Sequence, residues 1–311
     1  MTDVNVIFLL SISIVVIGYL VKKFKILNEI DGDTVAKIIF NITLPAVILK
    51  FATTIQFDFK LILLPIIGIF FGFLIAFIAF IIFRKEPSRL KGVMIMTTMG
   101  FSVGNFFFPL VEGIWGSLGM QYIALFDMGN AFTLFITCYL ISTIYSPKNQ
   151  ELSVKINYKF MLKRIIKSAP ILSYFVAIIF NFSGMGIPTF FSELVNILAK
   201  ANTALAWLLL GIFLHFKFNR KEWISIIKVL VVRYGLGLVV GLSLFFFLPN
   251  SIFSPLFKII ISLSLILPLG LSVITFAVEN GQDQKFVTMV ANLTIMISFG
   301  LIWVLIVILN G

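Results

Sequence analysis

The sequence predicts an all-α integral membrane protein of ten transmembrane helices, arranged as two inverted five-helix repeats with helices four and nine broken. Three observations predict it. Hydrophobic residues make up 60% of the chain and charged residues 12%, against about 45–50% and 25% in soluble proteins. Apolar stretches recur ten times at the length of about 20 residues that a bilayer requires. Two of them, the fourth and the ninth, carry proline and glycine near their centres.

The spans run roughly Val4–Val21, Thr34–Thr54, Leu61–Phe83, Leu90–Trp115, Met120–Ile141, Ile165–Phe182, Leu194–Phe216, Ile224–Leu248, Leu256–Val278 and Phe286–Leu309. The first is preceded by Asp3 and followed by Lys22, Lys23 and Lys25. That order of charge is the reverse of a signal peptide, so it reads as a membrane helix. The second and seventh are the least hydrophobic. Lysines and arginines gather in the loops after spans one, three, five, seven and nine, including Arg84, Lys85, Arg89 and Lys91, and Lys217, Arg220 and Lys221. Basic loops face the cytoplasm, so both termini are expected outside a cytoplasmic membrane. Lys50, Lys200, Arg233 and His215 are expected near span ends, with their heads snorkelling to the interface.

The longest connection, residues 145–163, is polar and basic and separates a first half, 1–144, from a second, 164–311. Five spans per half is odd, so the halves have opposite orientations. A shift of 161 or 162 residues lays Asn41 on Asn202 and Asn130 on Asn292, and sets the interruption of span four beside that of span nine. Inverted repeats with interrupted helices at matching positions point to a secondary transporter with its site near the midplane.

Span four is interrupted by Gly100-Phe-Ser102-Val-Gly104-Asn105-Phe-Phe-Phe-Pro109. Pro109 cannot donate to the Asn105 carbonyl four residues back. Polar backbone at that depth must be buried in protein or line a cavity. The stretch therefore reads as a broken helix at a transport site, or as a kinked helix whose Asn105 ties helices together. Pro109 and Pro268 suit the first turn of the half-helices that follow each break. With both breaks near the midplane, two helix N-termini would offer free N–H groups and partial positive charge to one small anion, with no lysine or arginine expected nearby. Asn41 and Ser264 precede Pro45 and Pro268 by four residues, as Asn105 precedes Pro109. These spacings nominate Asn105, Pro109, Gly104, Ser102, Pro268, Gly270, Ser264 and Asn41 as substrate-binding, supported by Asn130, Asn202 and Asn292. Ordinary buffered proline kinks would show the same spacing.

Asp127, in Phe126-Asp-Met-Gly-Asn130, is the carboxylate placed well inside the membrane. Ionisable groups at that depth are functional candidates by default. It is a candidate carrier of a coupling proton, and equally a structural acceptor for Asn130 or for backbone groups. Sodium is the second candidate ion.

Several classes are excluded. One cysteine (Cys138) and one histidine (His215) leave neither a disulfide framework nor a Cys/His metal site. The net charge of +11 lies in short loops and is not read as a nucleic-acid surface. No P-loop occurs, and no paired aspartate, Ser–His arrangement or zinc motif suggests a hydrolase. Neither enzyme activity nor a cofactor is expected. A membrane sensor is a further class.

Gly18-Tyr-Leu before Lys22-Lys-Phe-Lys25, Asn41-Ile-Thr-Leu-Pro-Ala46, Gly104-Asn105 with Pro109, Phe126-Asp-Met-Gly-Asn130, and Pro268 with Ala277-Val-Glu-Asn-Gly281 occur in that order. In combination the chain resembles the auxin efflux carrier family, which includes bacterial permeases and plant PIN carriers, related to bile-acid/sodium symporters. The resemblance implies ten helices in two inverted repeats, with broken helices four and nine crossing to form the site. It also implies small organic anions, such as auxin or dicarboxylates, as substrates. Leu269-Gly270 stands where a small polar residue and alanine are expected, and no proline follows Arg233. The partners implied are a small organic anion and the bilayer, with homodimerisation left open.

Overall fold

The computed structural model describes residues 4–55, 58–147, 167–184, 186–215 and 222–310, and among these it is helical apart from turns and one isolated β-bridge. The basic residues 148–164 and 217–221, on which much of the expected topology rests, lie outside the described residues. Among the described residues, seven helices are long and apolar enough to cross a membrane. One of them, Val103–Ile144, has 42 residues, about twice a bilayer's thickness at 1.5 Å per residue. It turns at Gly116, where φ is 60° and ψ −145°, close to the expected end of span four at Trp115. Two shorter apolar helices are Ala169–Ser183 and Pro255–Ser264.

The described residues fall into two compact units, each drawn from both halves of the sequence. Unit 1 comprises Met1–Leu61, Val103–Met128 and Lys163–Leu214. It contains α1 (Val4–Lys23), α2 (Glu29–Ile38), α3 (Leu44–Ala52), most of α6 (Phe108–Phe132), α8 (Ala169–Ser183) and α9 (Thr189–Phe213). Helix α2 begins five residues before the expected span because Asn28 and Asp31 form a reciprocal cap: Asn28 Oδ1 accepts from the Ile30 and Asp31 amides, and Asp31 Oδ2 from the Asn28 amide. A π-helical turn, Ile39–Thr43, then joins α2 to α3 just before Pro45. The wider turn accommodates a residue without an N–H. Helices α1 and α9 pack through glycine: a Cβ at Gly18 would lie 3.2 Å from the Gly211 Cα. Without a hydrophobic drive between helices in lipid, such close backbone approach supplies the packing.

Unit 2 comprises Ile62–Ser102, Gly129–Leu162 and His215–Gly311. It contains α4 (Leu63–Ile82), α5 (Ser88–Thr98), α7 (Tyr139–Ile144), α10 (Trp223–Phe247), α11 (Pro255–Ser264), α12 (Leu271–Glu279) and α13 (Gln284–Asn310). Helices α10 and α11 meet at Gly241, whose carbonyl accepts from Ser262 Oγ at 2.7 Å. The Phe-rich runs divide by environment. Phe106–Phe108 are buried, whereas Phe246 and Phe247 are exposed on an apolar outer face, as lipid-facing residues are.

Candidate functional site

The interruption of the fourth span is built from α5 onward. Thr97 and Thr98 donate their hydroxyls to the Val93 and Met94 carbonyls, each at 2.7 Å, a local competition that loosens a helix end. The helix stops at Thr98, and Gly100 then takes a φ of +81°. That left-handed conformation costs a residue with a Cβ about 1–2 kcal/mol. The break therefore lies at Met99–Ser102, at the start of the Gly100–Pro109 stretch expected from sequence and upstream of Asn105–Pro109 within it. Helix resumes through the π-helical turn Val103–Phe107, and Pro109 sits at the second residue of α6, directly after that wider turn, which accommodates a residue without an N–H.

The ninth-span interruption lies between α11 and α12, and within unit 2 it pairs with the first. Phe101 and Leu269 form an antiparallel bridge. On either side the Ser102 amide donates to the Pro268 carbonyl at 2.9 Å and the Gly270 amide to the Gly100 carbonyl at 3.1 Å. Pro268 thus lies in extended backbone before α12, whose N-cap is Gly270, and not in the first helical turn. Its position uses only a carbonyl, so the absent N–H leaves nothing unpaired. Ser264 donates to the Ile260 carbonyl at 2.6 Å.

A buried cation sits at these breaks. Arg233, on α10, is 0% exposed. Its Nη1 donates to the carbonyls of Thr97, Thr98 and Met99 at 3.3, 2.7 and 3.3 Å. Nη2 donates to Gly100 at 3.2 Å and Leu267 at 2.8 Å, and Nε to Leu267 at 3.3 Å. The guanidinium also lies 4.3 Å from the Phe101 ring centroid. These carbonyls belong to a helix end whose acceptors lack partners in their own helix, where a cation is favoured. The expectations that Arg233 snorkels and that no basic residue lies near the breaks are both corrected. Arg233 stands in the middle of the eighth span, and an intramembrane charge there was signal enough to nominate it.

Side chains from two further segments tie down the bridged residues. Asn130 Oδ1 accepts from the Phe101 amide at 3.4 Å and its Nδ2 donates to the Phe101 carbonyl at 3.1 Å. Thr294 Oγ1 accepts from the Leu269 amide at 3.0 Å. Tyr234, beside Arg233, donates its hydroxyl to the Thr294 carbonyl at 2.9 Å and contacts Ser298 Oγ at 2.8 Å. Thr294 and Tyr234 were not singled out in the sequence, where a Thr in a span and a Tyr next to an Arg carry no distinguishing pattern. Asn292 instead donates to the His215 carbonyl at 3.1 Å.

Unit 1 holds the other nominated residues. Asn105 is buried, and its Oδ1 has no hydrogen-bond partner. Gly104 is a packing glycine, since a Cβ there would lie 2.7 Å from Leu44 Cδ1. Asp127 is buried and its Oδ2 accepts from the Tyr174 hydroxyl at 2.8 Å. Asn202 accepts from Thr43 Oγ1 at 2.9 Å. Asn41 is exposed and donates to the Lys37 carbonyl at 2.8 Å, the ordinary side-chain buffering of a helix turn. Lys50, expected to snorkel, pairs with Glu112 Oε1 at 2.9 Å. Glu112 is a carboxylate within the fourth span that the sequence reading passed over.

Paired helix breaks, buried polar backbone and an intramembrane arginine describe a membrane transport fold. The family model described as membrane transport protein matches residues 4–308, so the chain belongs to this family, that of the auxin efflux carriers. It is a transporter family and not an enzyme family, and with its long apolar helices the chain is a multi-pass membrane protein. An uncharacterised transporter of Methanothermobacter thermautotrophicus is 25% identical over 217 residues, covering 67% of each chain. An uncharacterised transporter of Methanocaldococcus jannaschii is 26% identical over 218 residues, covering 66% of this chain and 67% of its own.

Proposed function

We propose that this chain is a secondary carrier moving a small organic anion, a carboxylate, across the cytoplasmic membrane by alternating access. The observation that carries the reading is Arg233 at the paired breaks. Its contacts go to backbone carbonyls, so the negative ends of the broken helices are neutralised from within the protein. The N-terminal end of α12, opening at Leu271, then contributes partial positive charge next to a full positive charge. Such a field favours an anion. Because the guanidinium already donates to five different carbonyls, Arg233 acts through its field, and the anion is held by the N-terminal amides of α12; Asn105, in unit 1, is a separate candidate for holding it.

The ten-helix inverted repeat belongs to the same proposal, with halves 1–144 and 164–311 joined by a cytoplasmic segment, 145–163, and both termini outside. Two correspondences support it. Phe71 and Arg233 are 162 residues apart, and both lie against Phe101, the Phe71 ring centroid at 5.7 Å. Asn130 and Thr294 are 164 residues apart, and each bonds the backbone of one bridge residue. The short helices α5 and α11 would then each complete a crossing with the segment after its break. A proton carried by Asp127 is the coupling ion of this reading, and no cofactor takes part in it.

The test is counterflow into liposomes holding the purified protein, with radiolabelled malonate and succinate against a neutral sugar and an amine. Saturable accumulation of a carboxylate alone is expected. Accumulation of the amine alone, or of nothing by folded protein, would end the reading.

A further inference from the structure

Four cations, Arg84, Lys85, Arg89 and Lys91, stand within eight residues at the turn between α4 and α5 of unit 2. The turn is a built one. Phe83 is 0% exposed and anchors it, and the Phe83, Glu86 and Lys91 amides donate to the Ala79, Phe83 and Pro87 carbonyls at 2.9, 3.1 and 2.8 Å. Arg84 and Lys85, directly after the anchor, are exposed. The one carboxylate of the turn, Glu86, is taken by Lys228 of α10 at 2.6 Å, so it does not offset the four cations. Among the described residues Arg84, Lys85 and Lys91 make no ion pair. Helix α5 starts at Ser88 with no side-chain cap, and its N-terminal end adds partial positive charge.

The outer face of α4 leads to this turn. Ile66, Phe70, Phe73, Phe77 and Phe80 are all exposed, and their spacing of four, three, four and three residues puts them on one side of the helix. The stripe is about 21 Å long, against about 15 Å for half a bilayer core. Charge and stripe meet at one point: the Lys91 ammonium lies 3.9 Å from the Phe80 ring centroid and 5.8 Å from that of Tyr145. Aromatic faces, and no carboxylate, hold this cation in place.

We propose that this turn is a binding site for an anionic phospholipid. The lipid phosphate meets Arg84, Lys85 and Lys91, and an acyl chain lies along Phe80, Phe77 and Phe73. Charge selects the headgroup: a phosphodiester offers acceptor oxygens to a guanidinium and two ammonium groups, whereas a zwitterionic choline headgroup brings its own cation to the same place. The stripe selects a lipid over a soluble anion, because free phosphate gains nothing from exposed phenylalanines. Lys91 sets a seat apart from a diffuse basic surface, since its ammonium is already placed where the apolar stripe ends. An occupied site also steadies the start of α5, the helix whose other end forms the first break. The proposal requires only that α4 crosses the membrane, and it is independent of what the carrier moves.

The test is lipid binding to the delipidated full chain in a maltoside detergent, read by native mass spectrometry with dioleoyl phosphatidylglycerol and dioleoyl phosphatidylcholine in turn. Phosphatidylglycerol should bind about tenfold or more tightly than phosphatidylcholine, and it should raise the thermal midpoint. Lys91→Gln should weaken phosphatidylglycerol about fivefold, and Arg84→Gln with Lys85→Gln about twentyfold, at about fivefold for each cation beside a lipid phosphate. Neither variant should alter phosphatidylcholine binding. Lys60→Gln, an exposed lysine at the opposite end of the same span, should change neither lipid. Glycerol phosphate at the lipid's concentration should not displace phosphatidylglycerol. Equal binding of the two lipids would reduce the site to a plain apolar surface. A loss at Lys60→Gln as large as at Lys91→Gln would reduce it to unspecific charge, and displacement by glycerol phosphate to a site for soluble anions. Each of these results overturns the proposal. None of the readouts involves transport, so carboxylate counterflow stands or falls separately.

Discussion

The Ser102 amide donates to the Pro268 carbonyl at 2.9 Å, and with the Phe101–Leu269 bridge this joins two helix interruptions far apart in sequence into one piece of extended backbone. Unpaired backbone groups are costly in hydrocarbon. Each break supplies what the other lacks, so neither interruption is tolerable alone. Arg233 completes the arrangement by taking the carbonyls that the crossing leaves over.

Arg233 is therefore expected to be a requirement of the fold as well as of the site's charge. Arg233→Leu strands four carbonyls, those of Thr97, Thr98, Met99 and Leu267, since Gly100 keeps the Gly270 amide; at about 1–3 kcal/mol for each buried group left unpaired, it should abolish recovery of folded protein from detergent. Arg233→Lys keeps the charge but loses the planar fork. It should lower the thermal midpoint clearly while retaining some anion counterflow. A Lys variant as stable as the parent would show that charge alone holds the breaks together.

Gly100 is the backbone position least open to substitution. A Cβ there would lie 3.0 Å from both Leu134 Cδ1 and Val273 Cγ2, on top of the cost of a φ of +81°. Gly100→Ala should destabilise by about 1–3 kcal/mol, read as a lower thermal midpoint in detergent. Gly270 has an ordinary φ of −68°, and its Cβ would meet nothing closer than 3.5 Å. Gly270→Ala should be tolerated, and equal losses at the two positions would contradict this account.

Asn105 separates binding from stability. Because its Oδ1 has no partner, Asn105→Ala removes an unsatisfied acceptor and should leave the thermal midpoint unchanged or higher. If the side chain holds the anion, the same change should weaken carboxylate binding about tenfold to a hundredfold, the loss of one or two hydrogen bonds to a charged group. Asn105→Asp places a negative charge at the same point and should weaken it further. A carboxylate bound equally well by both variants would remove Asn105 from the site.

Asp127 is held by Tyr174, and the proposed proton role makes a separable prediction. Asp127→Asn should abolish uptake driven by a pH gradient while exchange of preloaded carboxylate continues. Loss of both in folded protein would assign Asp127 to structure, and unchanged pH-driven uptake would end the coupling role.

Topology can be read chemically. Cys138 is buried, so background labelling is low. A cysteine introduced at Asn149 should resist an impermeant thiol reagent in intact cells and react after permeabilisation. Reaction in intact cells would invert the orientation.

The helical membrane character and the interruptions in spans four and nine were legible because they depend on local composition: long apolar runs, and proline and glycine inside them. The position of the first break was legible only as the whole Gly100–Pro109 stretch. Proline draws attention to Asn105–Pro109, yet Pro109 follows a π-helical turn that accommodates its missing N–H, and it is Gly100 that turns the chain. Asp127 was legible as a charge at depth, whereas its partner Tyr174 was not, because nothing in a tyrosine's neighbours along the chain names the residue it will meet.

By itself the sequence determined which segments are apolar enough to leave water, where they can bend, and which family they form, since these follow from side-chain transfer and backbone freedom along a few consecutive residues. Only the tertiary structure decided that Asn130 serves the Phe101 backbone, that Thr294 serves Leu269, and that Arg233 is a buried internal cation and not a snorkelling one. The reason is physical. A charge in an apolar helix has two low-energy solutions, reaching the interface or finding acceptors inside. The acceptors that Arg233 finds are backbone carbonyls exposed only once two distant helices have broken side by side.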